Sequence, residues 1–258
     1  MTKLKLFSAT LLSSLLILSW SCTTKTQNET TDTLKVDSSV TQKDTVITDI
    51  SDKIPELEQT MIDQGLVNIQ TIDSTIMVEL KYSTTDNFVR TDVYGDHIRG
   101  YMQQKPAEML AKASKILQEK YPAYRLLVYD AARPLSVQHK FWALLDSVPP
   151  LKREDFVANP ADGSIHNFGS AVDLTVYDTA TQKPLDMGTK YDYFGDLAYP
   201  KFEEEMLRTG KLTKEQIANR LVLRRAMERA GYMRIESEWW HFNAISRDRA
   251  KELYKIIE

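Results

Sequence analysis

The chain has 258 residues, 42% of them hydrophobic and 27% charged, with a formal net charge of −3. That composition suits a soluble globular protein with one core of ordinary size. The near-balance of charge leaves no basic patch of the kind that binds nucleic acid, and a single cysteine excludes an intramolecular disulfide.

Residues 1–22 read as an export signal. Lys3 and Lys5 form a short positive region, residues 11–18 are mostly apolar, and Ser19-Trp20-Ser21-Cys22 follows. The apolar run is too short to span a bilayer. Its end resembles a bacterial lipoprotein cleavage site, with small Ser21 before Cys22. Cys22 is therefore expected to become the lipidated first residue of an exported protein, anchored in the cell envelope and facing the periplasm. The plainer alternative is a chance cysteine in an ordinary signal peptide. Residues 23–53 are rich in Thr, Ser and Asp and hold no aromatic residue. Such a stretch buries too little apolar area to offset the entropy of ordering it, and reads as a flexible polar tether.

One folded domain is expected over residues 54–258. Residues 66–72 and 76–80 are β-branched and read as two short strands, with a polar loop over 81–88. Residues 106–120 predict a helix, because Met109, Leu110, Ala113, Ile116 and Leu117 share one face. Residues 126–129 read as a buried strand leading into Asp130-Ala131-Ala132-Arg133-Pro134, and a helix is expected over 135–145. Residues 171–177 form the clearest strand, with Val172, Leu174 and Val176 facing the core and Asp173 and Thr175 a polar face. Residues 178–200 are a long excursion of the kind that walls sites. The longest helix is expected over 213–230, with Thr213 and Gln216 at capping-box spacing and Gly231 past its end. A strand within 232–243 and a helix over 247–257 capped by Ser246 complete the chain. Helices and strands mix without a βαβ rhythm, so the fold class is α+β: a small, mainly antiparallel sheet flanked by helices, with the site in a cleft on the sheet.

Residues that can do chemistry gather in two stretches, Ser164-Ile165-His166-Asn167-Phe168-Gly169-Ser170-Ala171-Val172-Asp173 and Glu238-Trp239-Trp240-His241. A catalytic zinc usually takes three His, Asp or Glu ligands and a water, and a nearby carboxylate moves the protons. His166, Asp173 and His241 supply a ligand set and Glu238 a base. His166 and Asp173 are an odd number apart, so one unbroken strand would point them to opposite faces; Gly169 lets the chain turn between them. Glu238 and His241 converge only if the backbone bends, and the two tryptophans would then wall the site. Each residue also has a plain structural reading. His166 could be a satisfied surface or core histidine. Glu238 and His241 could be a polar edge on an aromatic core. Asp173 is harder to dismiss, because Asp is disfavoured in strands and costly to bury unpaired. No single spacing is specific. His97 and His139 are expected at the surface, and Glu236 competes with Glu238 for the base role.

The joint pattern Ser-x-His-x-x-Gly-x-Ala-x-Asp followed by Glu-x-x-His resembles the D-alanyl-D-alanine dipeptidase family of zinc enzymes, from about Leu66 to His241. Residues 82–88, 130–134, 170–177 and 187–193 resemble it too. The resemblance implies one zinc ion per chain on His166, Asp173 and His241, with Glu238 as general base and acid. It implies that Arg133 stabilises the oxyanion, Asp130 helping to orient it, that Asp192 and Tyr82 lie near the amino end of a D-Ala-D-Ala substrate, and that Ser164 lies near the dipeptide. Two departures stand out. Ala131-Ala132 replace a usual Gly and Tyr, which could reshape the pocket beside Arg133. Asn167-Phe168 replace Ser-Arg, which could change what covers the metal. The function implied is zinc-dependent hydrolysis of D-Ala-D-Ala, in cell-wall peptide turnover if the lipid anchor is real, with no protein partner expected. The alternatives are a zinc D,D-carboxypeptidase acting on longer wall peptides, which an amine-binding Asp192 disfavours, and a non-catalytic lipid-anchored wall-binding module, which has no need of Glu238.

Overall fold

The computed structural model describes residues 54–154 and 156–258. The signal, the tether and Cys22 lie outside the described residues; among the described residues no helix is long and apolar enough to cross a membrane. In chain order the elements are α1 (Glu56–Asp63), β1 (Val67–Asn68), the helical turn α2 (Ile69–Ile72), β2 (Met77–Val78), β3 (Tyr101–Met102), α3 (Gln104–Lys120), β4 (Tyr124–Asp130), α4 (Leu135–Leu144), α5 (Pro150–Arg153), β5 (Ala171–Asp178), β6 (Lys183–Pro184), α6 (Glu203–Arg208), α7 (Lys214–Ala230), β7 (Met233–Arg234), β8 (His241–Asn243) and α8 (Arg247–Leu253).

The main sheet runs β2-β4-β5-β8-β7, with β6 beside the far end of β5. β2 and β4 are parallel and the other pairs antiparallel. β1 and β3 form a separate antiparallel pair. This is the α+β architecture read from the sequence. β5 is its axis. Val172, Leu174 and Val176 are fully buried and pack with Leu110 and Leu117 of α3 and Leu223 and Met227 of α7. The opposite face of β5 is also covered, Asp173 being 3% and Thr175 1% exposed. Burying an aspartate to that degree is costly unless it is paired.

Several boundaries differ from the sequence reading. Residues 66–72 are not one strand: β1 lasts two residues, and Asn68 then accepts from the Gln70 amide and starts a helical turn. A short side chain that bonds its own backbone competes with strand pairing, which β-branched composition does not reveal. The 178–200 excursion opens with β6, a two-residue strand paired to Tyr177 and Asp178. The C-terminal helix stops at Leu253, and Ile257 is instead fully buried. The caps of α7 are as read: Thr213 and Gln216 bond reciprocally and Gly231 is left-handed at φ 109°.

Three local devices set the site. Tyr129 is an extra residue on β4, because Val128 pairs with Leu174 but Asp130 pairs with Asp173. Such a bulge re-aims the side chains beyond it, here bringing two aspartates level. Next, Arg220 of α7, 1% exposed, donates to the carbonyls of Met187 and Leu197 at 2.7 Å each. It clamps both ends of the segment that carries Tyr191 and Asp192. Finally, the Ile257 amide donates to the Asn167 carbonyl and the Ile257 carbonyl accepts from the Leu135 amide, which pins the C-terminal segment across the loops bearing His166 and Arg133.

Gly169 turns the chain from the His166 loop into β5 at φ 63°. A Cβ there would lie 3.1 Å from Leu66 Cδ2 and 3.2 Å from the Gln103 nitrogen. Strain of about 1–2 kcal/mol for a left-handed L-residue plus this crowding gives an expected loss of roughly 1–3 kcal/mol in Gly169→Ala. Urea unfolding checks it, and a variant as stable as the parent contradicts the assignment.

Candidate active site

β5 and β8 pair so that Asp173 stands opposite His241. His166 comes from the 3-10 turn Ile165–Phe168, just before the Gly169 turn. One ligand atom of each residue lies within 4.8 Å of the others. His166 Nε2 is 3.2 Å from His241 Nδ1 and 3.4 Å from Asp173 Oδ1, and His241 Nδ1 is 2.9 Å from the same oxygen. The far side of each ring fixes its tautomer. A carbonyl can only accept, so His166 Nδ1 carries the hydrogen it gives to Ala131 at 2.6 Å. His241 Nε2 likewise donates to Asn243 Oδ1 at 2.8 Å. Both near nitrogens are left with lone pairs facing each other and a carboxylate. Three acceptors in contact need a cation among them, and two imidazoles with one carboxylate form a donor set that suits zinc.

In the metal-free chain a proton does part of that work. Burial alone would raise the Asp173 pKa, but the charges of and hydrogen bonds from His166 and His241 hold it far below the carboxylate range. Burial alone would lower the His241 pKa; the hydrogen bond and charge of Asp173 outweigh it and push His241 up to about 9.

Around this group lies a small cleft of about 130 Å³, lined among others by Tyr82, Arg133, Ser164, Asp192, Glu238 and Trp240. It is smaller than the roughly 300–1,000 Å³ pockets that take drug-sized ligands, so it fits a small substrate. Glu238 enters from the bend before β8, its Oε2 3.8 Å from His241 Nδ1. Its side chain is about one-third exposed and lines the cleft wall. Burial, reinforced by the charge of Asp173 and resisted by that of His241, raises its pKa. Glu236 is exposed and bonded to Arg234, away from the cleft. Trp240 walls the site as the sequence reading expected, but Trp239 lines a neighbouring cleft and donates to Thr189.

Arg133 is held from behind. Its Nε and Nη2 donate to Asp130 Oδ2 at 3.0 and 2.6 Å, and Nη1 to Gln138 at 3.1 Å. Tyr94 donates to the other Asp130 oxygen at 2.6 Å. Of five guanidinium hydrogens, one on each terminal nitrogen remains for the cleft. At the opposite end Asp192 accepts from Tyr82 at 3.1 Å, while its buried Oδ2 has no partner. Burial, followed by repulsion from Asp173, pushes the Asp192 pKa well above the carboxylate range. A cationic group is what this carboxylate lacks. Ser164 Oγ accepts from the His166 amide at 3.3 Å, so it caps the ligand loop while keeping its own hydrogen for the cleft.

Every site residue proposed from the sequence among those described falls on this cleft. The two departures do not. Asn167 and Phe168 are buried off the cleft, and Asn167 donates to the Arg133 carbonyl at 2.7 Å, tying the loops that bear Arg133 and His166 together rather than covering the His-Asp-His group. Ala131 and Ala132 are buried too, the first accepting from His166. His139 is exposed, but His97 is 1% exposed, against expectation: it lies 3.4 Å from buried Glu58, a partner distant in sequence that local pattern cannot supply. The sequence reading missed three supports. Asn243 carries a readable signal, since it is two residues after His241 on one strand and so shares its face. Gln138, three residues after Leu135 on α4, and Tyr191, in the irregular excursion, carry none.

A sequence model for the family described as D-ala-D-ala dipeptidase matches residues 62–257. The chain is 30% identical over 180 residues to the D-alanyl-D-alanine dipeptidase of Escherichia coli (strain K12), covering 69% of this chain and 83% of that protein. It is 28% identical over 180 residues to that of Enterococcus faecalis (strain ATCC 700802 / V583), covering 65% and 85%. It is 27% identical over 191 residues to that of Enterococcus faecium, covering 69% and 90%.

With His241 titrating at about 9 in the metal-free chain, a metal must displace a proton below that pH. Uptake at pH 7–8 is expected to release about one proton per chain, and apparent affinity to rise with pH until about 9 and then level. An indicator dye in weak buffer reads this; uptake without proton release contradicts the assignment of His241.

Proposed function

The chain belongs to the D-ala-D-ala dipeptidase family, a family of metal-dependent peptidases, and on that premise we propose that it hydrolyses D-Ala-D-Ala in a zinc-dependent reaction. The observation that carries the reading is the convergence, on one small cleft, of a His-Asp-His group, a carboxylate 3.8 Å from it, a braced arginine and a buried carboxylate with one oxygen unpartnered.

His166, Asp173 and His241 would hold the zinc ion, which when bound would supply a Lewis acid able to polarise the scissile carbonyl and to make water acidic enough to be deprotonated near neutrality. Glu238 takes a proton from the attacking water as its oxygen bonds to the carbonyl carbon. The C–N bond then breaks, and Glu238 returns the proton to the departing amine, so that water and dipeptide give two alanines. A raised pKa suits that exchange, because Glu238 must hold the proton as well as accept it. Arg133 lines the cleft with two hydrogens left free, which in this reading meet the negative charge that develops on the carbonyl oxygen; Asp130 and Gln138 keep the fork from turning. Asp192 pairs with the free ammonium of the substrate, and Tyr82 steers that carboxylate. Ser164 lies beside the dipeptide.

Glu238→Gln is expected to lower kcat by about 10²–10⁴-fold while zinc content stays at one per chain. In the same assay an N-acylated D-Ala-D-Ala is expected to react on the order of 10²–10³-fold more slowly than the free dipeptide, because it leaves Asp192 buried without a cation. Equal turnover in Glu238→Gln would sink the mechanism. Equal rates on the two substrates would instead point to a carboxypeptidase that trims longer peptides.

The lipoprotein-like signal places this activity outside the cytoplasm in the same proposal. Cys22 carries the lipid, residues 23–53 tether the domain, and the enzyme faces the periplasm, where it turns over dipeptide derived from the cell wall. Cys22→Ala is expected to shift the protein from the membrane fraction to the soluble one; unchanged membrane association would remove the anchor from the account.

A further inference from the structure

Tyr191 stands between the metal ligands and the amine-binding end of the cleft. Its hydroxyl donates to Asp173 Oδ2 at 3.0 Å and lies 3.1 Å from the Tyr82 hydroxyl, which in turn lies 3.1 Å from Asp192 Oδ1. Asp173 thus divides its oxygens: Oδ1 faces His166 and His241, and Oδ2 faces Tyr191. We propose that Tyr191 is a positioning residue, which holds Asp173 to the metal site through one oxygen and joins that ligand, through Tyr82, to the carboxylate that receives the substrate amine. The inference rests on the dipeptidase reading above.

Four observations support it. A carboxylate that gives one oxygen to a hydroxyl offers one to a metal; freed, it can offer both and crowd the coordination shell. Outer partners of this kind typically contribute 10–100-fold to metal affinity. The Tyr191 ring is also fixed in place, 5.2 Å from the Tyr129 ring and 5.5 Å from that of Trp240, on a segment clamped at both ends by Arg220. In addition, Asp192 adopts φ 57°, a left-handed conformation uncommon outside glycine. In extended backbone, side chains 191 and 192 would diverge; this turn lets both reach the Tyr82 hydroxyl. Finally, the hydrogens can be counted. Three oxygen–oxygen links join Asp173 to Asp192, and two hydroxyls supply two hydrogens. Tyr191 gives its hydrogen to Asp173 and Tyr82 gives its own to Asp192, so the middle link has none to spare; a substrate ammonium that lends a hydrogen to Asp192 frees Tyr82 to turn its own toward the Tyr191 oxygen. The state of the amine end is thereby linked to the hydroxyl that bears on the metal ligand.

The test is zinc affinity, measured by chelator competition on the full chain, with cobalt(II) substitution as a spectroscopic readout. Tyr191→Phe removes the hydroxyl and keeps the ring. Its zinc Kd is expected to rise about 10–100-fold, and its cobalt visible bands to weaken as Asp173 supplies a second oxygen. Tyr191→Leu also removes the ring packing, and is expected to melt lower yet show the same Kd as Tyr191→Phe. Tyr82→Phe is expected to shift the Kd less, and to add nothing when combined with Tyr191→Phe. The control Tyr121→Phe, at a tyrosine that stacks on Tyr124, is expected to bind zinc as the parent does. An unchanged Kd and cobalt spectrum in Tyr191→Phe, with the loss confined to Tyr191→Leu, would reduce Tyr191 to packing and overturn the proposal. Full additivity of the two Phe substitutions would overturn the link through Tyr82. A parent chain that takes up no zinc would overturn the dipeptidase reading itself, a pattern distinct from either.

Discussion

Two imidazole nitrogens and a carboxylate oxygen, held within hydrogen-bonding distance with their lone pairs converging, are the constraint on which this structure depends. Such a group is repulsive unless a cation, a proton or a metal ion, lies within it. The chain stabilises the arrangement from outside rather than relaxing it. Ala131 holds His166, Asn243 holds His241, and Tyr191 holds Asp173. Each support fixes which atom faces inward. The arrangement is therefore a property of the whole β4–β5–β8 pairing and the loops around it, and not of three side chains alone.

The fold is arranged to bring these parts into register. β5 buries one face against α3 and α7 and presents Asp173 on the other. The bulge at Tyr129 sets Asp130 level with Asp173, and Asp130 in turn fixes Arg133. Backbone bonds from Arg133 to His166 and from Ile257 to Asn167 join the two loops that carry the ligand and the arginine. The positions of His166 and of the Arg133 guanidinium are thus set together by one network of backbone bonds.

Much of this was legible in the sequence, for definite reasons. Val172, Leu174 and Val176 alternate cleanly because one face of β5 is core. Thr213, Gln216 and Gly231 bracket α7 because caps are local. Gly169 was legible as a turn because the odd spacing from His166 to Asp173 demanded one. What stayed hidden depends on distant partners. Strand composition at residues 66–72 gave way to the Asn68 side chain bonding its own backbone. His97 is buried by Glu58 in α1. Tyr191 sits in a stretch without periodicity, where only the tertiary clamp from Arg220 decides what it reaches. Asn167 and Phe168 sit at the very turn that carries His166, and the role of Asn167 as a tie between loops follows from a contact that no spacing records.

The central claim is that His166, Asp173 and His241 together bind one zinc ion. X-ray absorption at the zinc edge of the purified chain tests it most directly. The account expects one zinc per chain, a first shell of nitrogen and oxygen alone at about 2.0–2.2 Å, and the outer scattering of two imidazole rings, reduced to one ring in His166→Ala. A chain that retains no zinc, or a zinc shell unaltered in His166→Ala, would contradict it.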